Sequence, residues 1–131
     1  MTREISRRGP EIVFFLDLLA AILNNLAILL RQSDRQSEAK EILQEALDIR
    51  WRLALKSPEL FTHRVATSLN NLGIFLFDIG ETSEAEAALR EALQLRRELF
   101  EKSPDQYKSS IGSTLNNLAV LLKKTGRLSE S

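Results

Sequence analysis

The sequence predicts an all-α protein built from repeated pairs of helices, and two observations support this fold class. Asn24, Asn70 and Asn116 are spaced 46 residues apart, and residues 24–69 align with 70–115 without a gap, with 18 identical positions. Between these positions apolar residues recur every three or four residues, the spacing of amphipathic helices, and no strand pattern occurs. A fixed period of this length is typical of helical repeat proteins, whose units stack on one another.

The first helix of each unit carries an apolar stripe at i, i+3, i+4 and i+7. In the second unit the stripe consists of Leu69, Leu72, Gly73 and Leu76. We expect this helix to end at Gly80, and its copy in the third unit at Gly126, because glycine readily adopts the left-handed conformation of a helix C-cap. Asp34 occupies the same place in the first unit.

The second helix of each unit is predicted to be long, and in the second unit to continue to about Lys102. Small residues recur on one side of it and permit close approach of the paired helices: Ala39, Ala46, Ala85 and Ala92. The segments 57–59 and 103–105 then begin the next unit, with Ser as N-cap, Pro at the first helical position and an acid near the positive helix end. The chain is thus predicted to be a single domain, 1–131, with units at about 12–57 and 58–103 and a partial third unit at 104–131.

These residues follow the spacing of the tetratricopeptide repeat signature. The matching positions are Leu23, Leu26, Ala27, Leu30, Ala39, Leu43 and Ala46 in the first unit, Leu69, Leu72, Gly73, Leu76, Ala85, Leu89 and Ala92 in the second, and Leu115, Leu118, Ala119 and Leu122 in the third. The chain resembles that family, although its period is longer than the usual 34 residues, and its "LNNLA" helices resemble the long repeats of kinesin light chains and bacterial relatives. The resemblance implies a right-handed α-solenoid whose first helices line a concave groove, and a protein that binds peptides or proteins and is not an enzyme.

Composition narrows the function. Eighteen basic residues balance eighteen acidic ones, and this zero net charge argues against a nucleic-acid partner, because proteins that bind nucleic acids usually carry an excess of basic residues. The chain has no cysteine, hence no disulfide or thiolate metal site, which is compatible with the cytoplasm. The only histidine, His63, has no partner at motif spacing and is interpreted as a solvated residue near a helix start. We therefore predict no catalytic residues, no metal and no cofactor.

An apolar segment near the start permits a membrane interpretation. Residues 12–30 are long enough to span a bilayer, and Arg7 and Arg8 precede them. Asp17 and two asparagines fall inside the segment, however, and it follows the 46-residue period. We therefore predict that it is a helix of the repeat, with no membrane partner and a cytoplasmic location.

The paired asparagines are the best candidates for a binding site. They are Asn24, Asn25, Asn70, Asn71, Asn116 and Asn117. An amide offers two donors and an acceptor, so a column of asparagines in the groove suits the backbone of an extended peptide. The alternative is that one asparagine of each pair satisfies buried polar groups between adjacent units, and both interpretations stay open.

Ligand selectivity is expected from two adjacent positions that differ between the repeats: Arg31 and Gln32 in the first, Phe77 and Asp78 in the second, and Lys123 and Lys124 in the third. Apolar contact would come from Ile74 and Phe77, and positive charge from Arg31, Arg64, Lys123 and Lys124. This set suits a peptide with one bulky apolar side chain and an acidic group. The alternative is that these ends of the first helices are merely solvated.

The first helix departs from the polar terminal face that a repeat protein needs. Val13, Phe14, Leu18 and Ile22 give it an apolar face where the second unit is mostly polar. An exposed face of this kind marks an interface, so we predict a homo-oligomer, specifically a dimer. The alternative function is therefore a self-assembly module, or a fragment of a longer array without its own ligand.

Overall fold

The computed structural model describes residues 9–126, which form five α-helices and no strand. The helices are α1 (Gly9–Gln32), α2 (Gln36–Lys56), α3 (Pro58–Asp78), α4 (Thr82–Lys102) and α5 (Pro104–Lys124). The predicted all-α repeat fold is confirmed, and α3 and α5 begin at the predicted prolines. The predictions for residues 127–131 and for Arg7 and Arg8 lie outside the described residues.

The turns between the paired helices have the predicted left-handed residues. Gly80 and Gly126 have φ angles of 88° and 74°, and Asp34 has 64°. After α3 the amide of Gly80 donates to Phe77 O at 3.1 Å and that of Glu81 donates to Leu76 O at 2.8 Å. These two bonds form a Schellman motif, which satisfies carbonyls that the end of a helix leaves unpaired.

The connection from α4 to α5 contains the predicted N-cap serine, which acts through its backbone. Ser103 is the N-cap residue of α5, but its side chain makes no capping hydrogen bond. Its backbone acts instead: the amide donates to Leu99 O at 2.9 Å, and the carbonyl accepts from the amides of Gln106 and Tyr107, each at 3.2 Å. The predicted N-cap position of Ser103 is therefore confirmed, but the residue acts through its main chain, because it ends α4 and begins α5 at once.

The chain divides into two compact parts, Met1–Thr62 and His63–Ser131, which we call unit 1 and unit 2 and which differ from the 46-residue repeats of the sequence. In unit 1, α1 packs against α2. The most deeply buried residues of this pair are small, namely Ala20, Ala27, Ala39 and Ala46. Their missing side-chain bulk permits the close helix approach that the sequence predicted. The prediction of a single domain stays a prediction.

In unit 2, α4 packs against α5 and α3 approaches α4 closely at Gly73. A Cβ atom added to Gly73 would lie 2.7 Å from Leu89 Cγ and 3.3 Å from the carbonyl oxygen of Ala85. Glycine is therefore required here by the closeness of the neighbouring helix. The single histidine also differs from the sequence prediction, since His63 is half-buried with its ring 6.5 Å from that of Tyr107.

Candidate functional site

The two asparagines of the second repeat have opposite environments. Asn70 is buried, whereas Asn71, one residue later on the same helix, is exposed. The Oδ1 atom of Asn70 accepts a hydrogen bond from Thr114 Oγ1 at 3.2 Å and another from Asn117 Nδ2 at 3.1 Å. A carbonyl oxygen has two lone pairs, and both are used here. Asn70 thus ties α3 to α5.

A buried arginine extends this arrangement to α4. The guanidinium of Arg96 donates to Thr114 Oγ1 and, at 3.2 Å, to the carbonyl oxygen of Ser110. A longer contact of 3.4 Å joins it to Thr67 Oγ1, which itself donates to the carbonyl of His63. We refer to Asn70, Arg96, Thr114 and Asn117 as the polar network. The Thr114 hydroxyl accepts a hydrogen bond from Arg96 and donates one to Asn70, so each of these donors meets an acceptor within the network.

The arginine of the polar network is held charged within the fold. Burial lowers the pKa of Arg96 from its ordinary value. That ordinary value lies so far above neutrality that the guanidinium remains protonated at physiological pH. Its hydrogen bonds go to hydroxyl and carbonyl oxygens, which fix the direction of the side chain without neutralising it. A structural connector is the chemical role that this geometry supports.

A hydroxyl deletion tests the polar network. Thr114→Val keeps the shape of the fully buried side chain but removes the atom that joins Arg96 to Asn70. We expect the free energy of unfolding to fall by about 1–2 kcal/mol, because a buried donor and acceptor lose their partner. Chemical denaturation measures this change. The neighbouring exposed residue provides the control, and Ser113→Ala is expected to change stability by less than about 0.5 kcal/mol. Equal effects of the two substitutions would contradict the network.

Unit 1 repeats the same order of burial. Asn24 is buried and Asn25 exposed, and Arg50, one period before Arg96, is also buried. The sequence predicted both asparagines as ligand residues together with Arg31, which is exposed near the end of α1. In the first and second repeats, therefore, the first asparagine of the pair is buried and the second is exposed, whereas in the third repeat Asn116 is exposed and Asn117 is half-buried.

A pocket opens between the helices of unit 2 beside the polar network. Its volume is about 240 Å³. It is lined by Ile74, Phe77 and Asp78 of α3, Leu89 of α4, and Asn117, Val120 and Lys124 of α5. The Nζ atom of Lys124 lies 5.6 Å from the centroid of the Phe77 ring, which is a cation–π distance. The walls are thus mainly apolar, with an amide, a carboxylate and an ammonium group at the pocket.

Four of the predicted ligand residues meet at this pocket: Ile74, Phe77, Asn117 and Lys124. The others lie elsewhere. Asn71, Asn116 and Lys123 are exposed, and Arg64 is half-buried. The pocket therefore combines Asn117 of the third repeat with Phe77 and Lys124, which occupy positions that differ between the repeats, and with Ile74, whose position is apolar in every repeat.

Sequence reasoning named Asp78 only as a position that differs between the repeats, and it left Leu89 and Val120 out of the predicted site. Leu89 was assigned to the repeat signature, as expected for a residue that is almost fully buried. Val120 could have been predicted from the sequence, because it lies one 46-residue period after Ile74, and both residues line the pocket. Asp78 follows Phe77 directly at a position that differs between units. The 46-residue period therefore predicts one wall of the pocket from the other.

The apolar positions predicted for self-association lie on α1. Phe14, Leu18 and Ile22 are exposed, and Val13 is half-buried. Among the described residues one helical stretch, Glu11–Gln32, is long and apolar enough to cross a membrane, with a mean hydropathy of 2.3 and 11% of its window buried. Length and composition alone are weak grounds, since signal sequences and core helices have the same properties.

Comparison with protein families identifies the class to which this fold belongs. A family model described as tetratricopeptide repeat matches residues 19–54 and 65–105. The chain is therefore a member of the tetratricopeptide repeat family, as its sequence predicted. Tetratricopeptide repeats generally mediate protein–protein interactions and form a non-enzymatic scaffold. A search of curated proteins found no match. Within residues 9–126 no cluster of histidine and acidic side chains is arranged to hold a metal ion.

Proposed function

We propose that the protein binds a peptide segment of a partner protein, with one apolar side chain of that segment inserted in the pocket of unit 2. The observation that carries this proposal is the meeting of Ile74, Phe77, Asn117 and Lys124 around one opening. Its volume of about 240 Å³ is below the roughly 300–1,000 Å³ of pockets that enclose drug-sized ligands. The size suits a single anchoring side chain.

The lining favours a particular kind of peptide. Ile74, Leu89 and Val120 supply apolar walls for a leucine-like or phenylalanine-like side chain. Lys124 supplies a positive charge beside the Phe77 ring, which favours an acidic group near the anchor. The exposed amides of Asn71 and Asn116 are available for the backbone of an extended chain. We place this activity in the cytoplasm, which the absence of cysteine supports.

Short labelled peptides test the proposal. Each carries a central Phe or Leu with acidic residues on both sides, and the matched peptide carries a central Ala. Fluorescence anisotropy is expected to give micromolar dissociation constants for the first set, which correspond to a binding free energy of about −8 kcal/mol. The affinity is modest because so few repeats offer a limited surface. The alanine peptide is expected to bind at least about tenfold more weakly, since the anchor supplies most of the apolar contact.

Two variants on α5 locate the binding site. Val120 and Leu115 are each 42% exposed, but only Val120 lines the pocket. Val120→Ser is expected to weaken binding about tenfold, or roughly 1.4 kcal/mol, while Leu115→Ser leaves it unchanged. Equal effects of the two substitutions, or no preference between the Phe and Ala peptides, would refute binding in this pocket.

A further inference from the structure

Helix α1 carries a continuous apolar stripe on its exposed surface. It consists of Ile12, Phe15, Leu19, Ile22, Leu26 and Leu29, which are each between 40% and 65% exposed. The steps between them alternate between three and four residues, the pattern of the a and d positions of a coiled coil. We call these six residues the α1 seam.

In unit 2 the corresponding face of α5 is packed against neighbouring helices. Two periods later, α5 carries Tyr107, Ile111, Thr114, Leu118 and Leu121 at the positions of Phe15 to Leu29. On α5 the first two are half-buried and the last three buried, because α5 packs against α4 and is tied to α3 by the polar network. The same face of α1 is exposed along its whole length. It is a packing face that has no cover within the described residues.

The chemistry of the seam argues against a preceding unit of the same type as its cover. In unit 2 the central position is Thr114, whose hydroxyl accepts a hydrogen bond from the buried Arg96. On α1 the residue at this position is Ile22. An arginine placed against it would be buried without its acceptor, which is costly. The cover must therefore be apolar at this point.

We propose that the α1 seam binds the α1 seam of a second copy of this chain, with the two helices antiparallel. In that arrangement Leu19 of one copy lies opposite Ile22 of the other, Phe15 opposite Leu26, and Ile12 opposite Leu29. Every apolar residue of the seam then meets an apolar partner, as an isologous interface requires.

The charges at the ends of α1 favour the antiparallel direction. The first turn of the helix carries Glu11 and the last turn carries Arg31. Antiparallel pairing brings each acidic end beside the basic end of the other copy and also opposes the helix dipoles, whereas parallel pairing places like charges together. The dimer involves unit 1 and does not rest on peptide binding by unit 2.

Solution mass tests the dimer. Light scattering or sedimentation equilibrium is expected to give a mass rising from 14.9 kDa towards twice that value between low and high micromolar concentrations. Ile22→Lys is expected to remain a monomer with unchanged helicity, because it places charge in the middle of the seam. Leu55→Lys changes an apolar residue of α2 that is 79% exposed and outside the seam, and it is expected to dimerise like the unchanged protein.

The direction of pairing has its own measurement. Since the chain contains no cysteine, Gln32→Cys provides a single exposed site for a nitroxide spin label at the end of α1 and keeps both Glu11 and Arg31. The antiparallel dimer is expected to give a label separation of about 35 Å from the helical rise, and a parallel dimer roughly 10–15 Å. The short distance would overturn the proposed geometry.

Two further outcomes would overturn the proposal. One is a monomeric mass for the unchanged protein at all concentrations. The other is a monomer that floats with vesicles of phosphatidylcholine and phosphatidylglycerol, with Ile22→Lys releasing it, because the seam would then be a membrane-binding surface. A dimer that Ile22→Lys dissociates and Leu55→Lys preserves supports the seam.

Discussion

Replacing Asn70 by alanine is expected to lower the free energy of unfolding by about 2–3 kcal/mol. The substitution removes the oxygen that accepts hydrogen bonds from Thr114 and Asn117. Thr114 is fully buried, so its hydroxyl proton loses its partner without gaining water in exchange. A small cavity between α3 and α5 adds to the loss.

The adjacent asparagine supplies the control for this experiment. Asn71 has the same side chain on the same helix but is exposed. Asn71→Ala is expected to change the free energy of unfolding by less than about 0.5 kcal/mol, and alanine even favours the helix slightly. Urea denaturation of both variants makes the comparison. If Asn70→Ala were as stable as Asn71→Ala, the polar network would not hold unit 2 together.

Gly73→Val is expected to cost about 2–3 kcal/mol of stability, because the space beside α3 is already filled. Even a Cβ atom at this position would lie 2.7 Å from Leu89 Cγ, and valine adds two further methyl groups. The equivalent positions in the other repeats, 27 and 119, are alanine, so the fold accommodates a Cβ atom there. We therefore use valine, whose side chain is larger than any that occupies this position in the repeats. Thermal unfolding followed by circular dichroism measures the loss.

The same substitution at Gly112 isolates the steric cause. Gly112 lies within α5, and a Cβ atom there would meet no atom within 4 Å. Gly112→Val is therefore expected to leave stability within about 0.5 kcal/mol of the unchanged protein, since valine is a somewhat better helix former than glycine. A large loss at both positions would contradict contact with Leu89 as the cause, because Gly112 has no such contact.

Much of the fold was predictable because it is local and repeated. The apolar spacing gave the helices, and the prolines and the left-handed residues gave their ends to within a few residues. The N-cap position of Ser103 was predicted, but its mode of capping was not, because Ser103 makes its hydrogen bonds to both helices through its backbone. The half-buried position of His63 beside Tyr107 also required knowledge of which helices meet.

The candidate site was predictable only in part. Ile74, Phe77, Asn117 and Lys124 were identified from helix faces and from differences between units. Asp78 was identified as a position that differs between repeats, and Val120 could have been found from the 46-residue period. Leu89 required the packing of three helices around one opening. A pocket depends on distances between elements, and the spacing within one helix does not contain them.

The sequence by itself determined the class of this protein: a 46-residue helical repeat, its two-helix units, and the asparagine pair on each first helix. Which asparagine is structural was decided only by tertiary packing. Successive residues of a helix point about 100° apart, so one step along the chain separates the face that meets the neighbouring helix from the face that meets water. Asn70 therefore binds Thr114 and Asn117 inside unit 2, and Asn71 remains exposed.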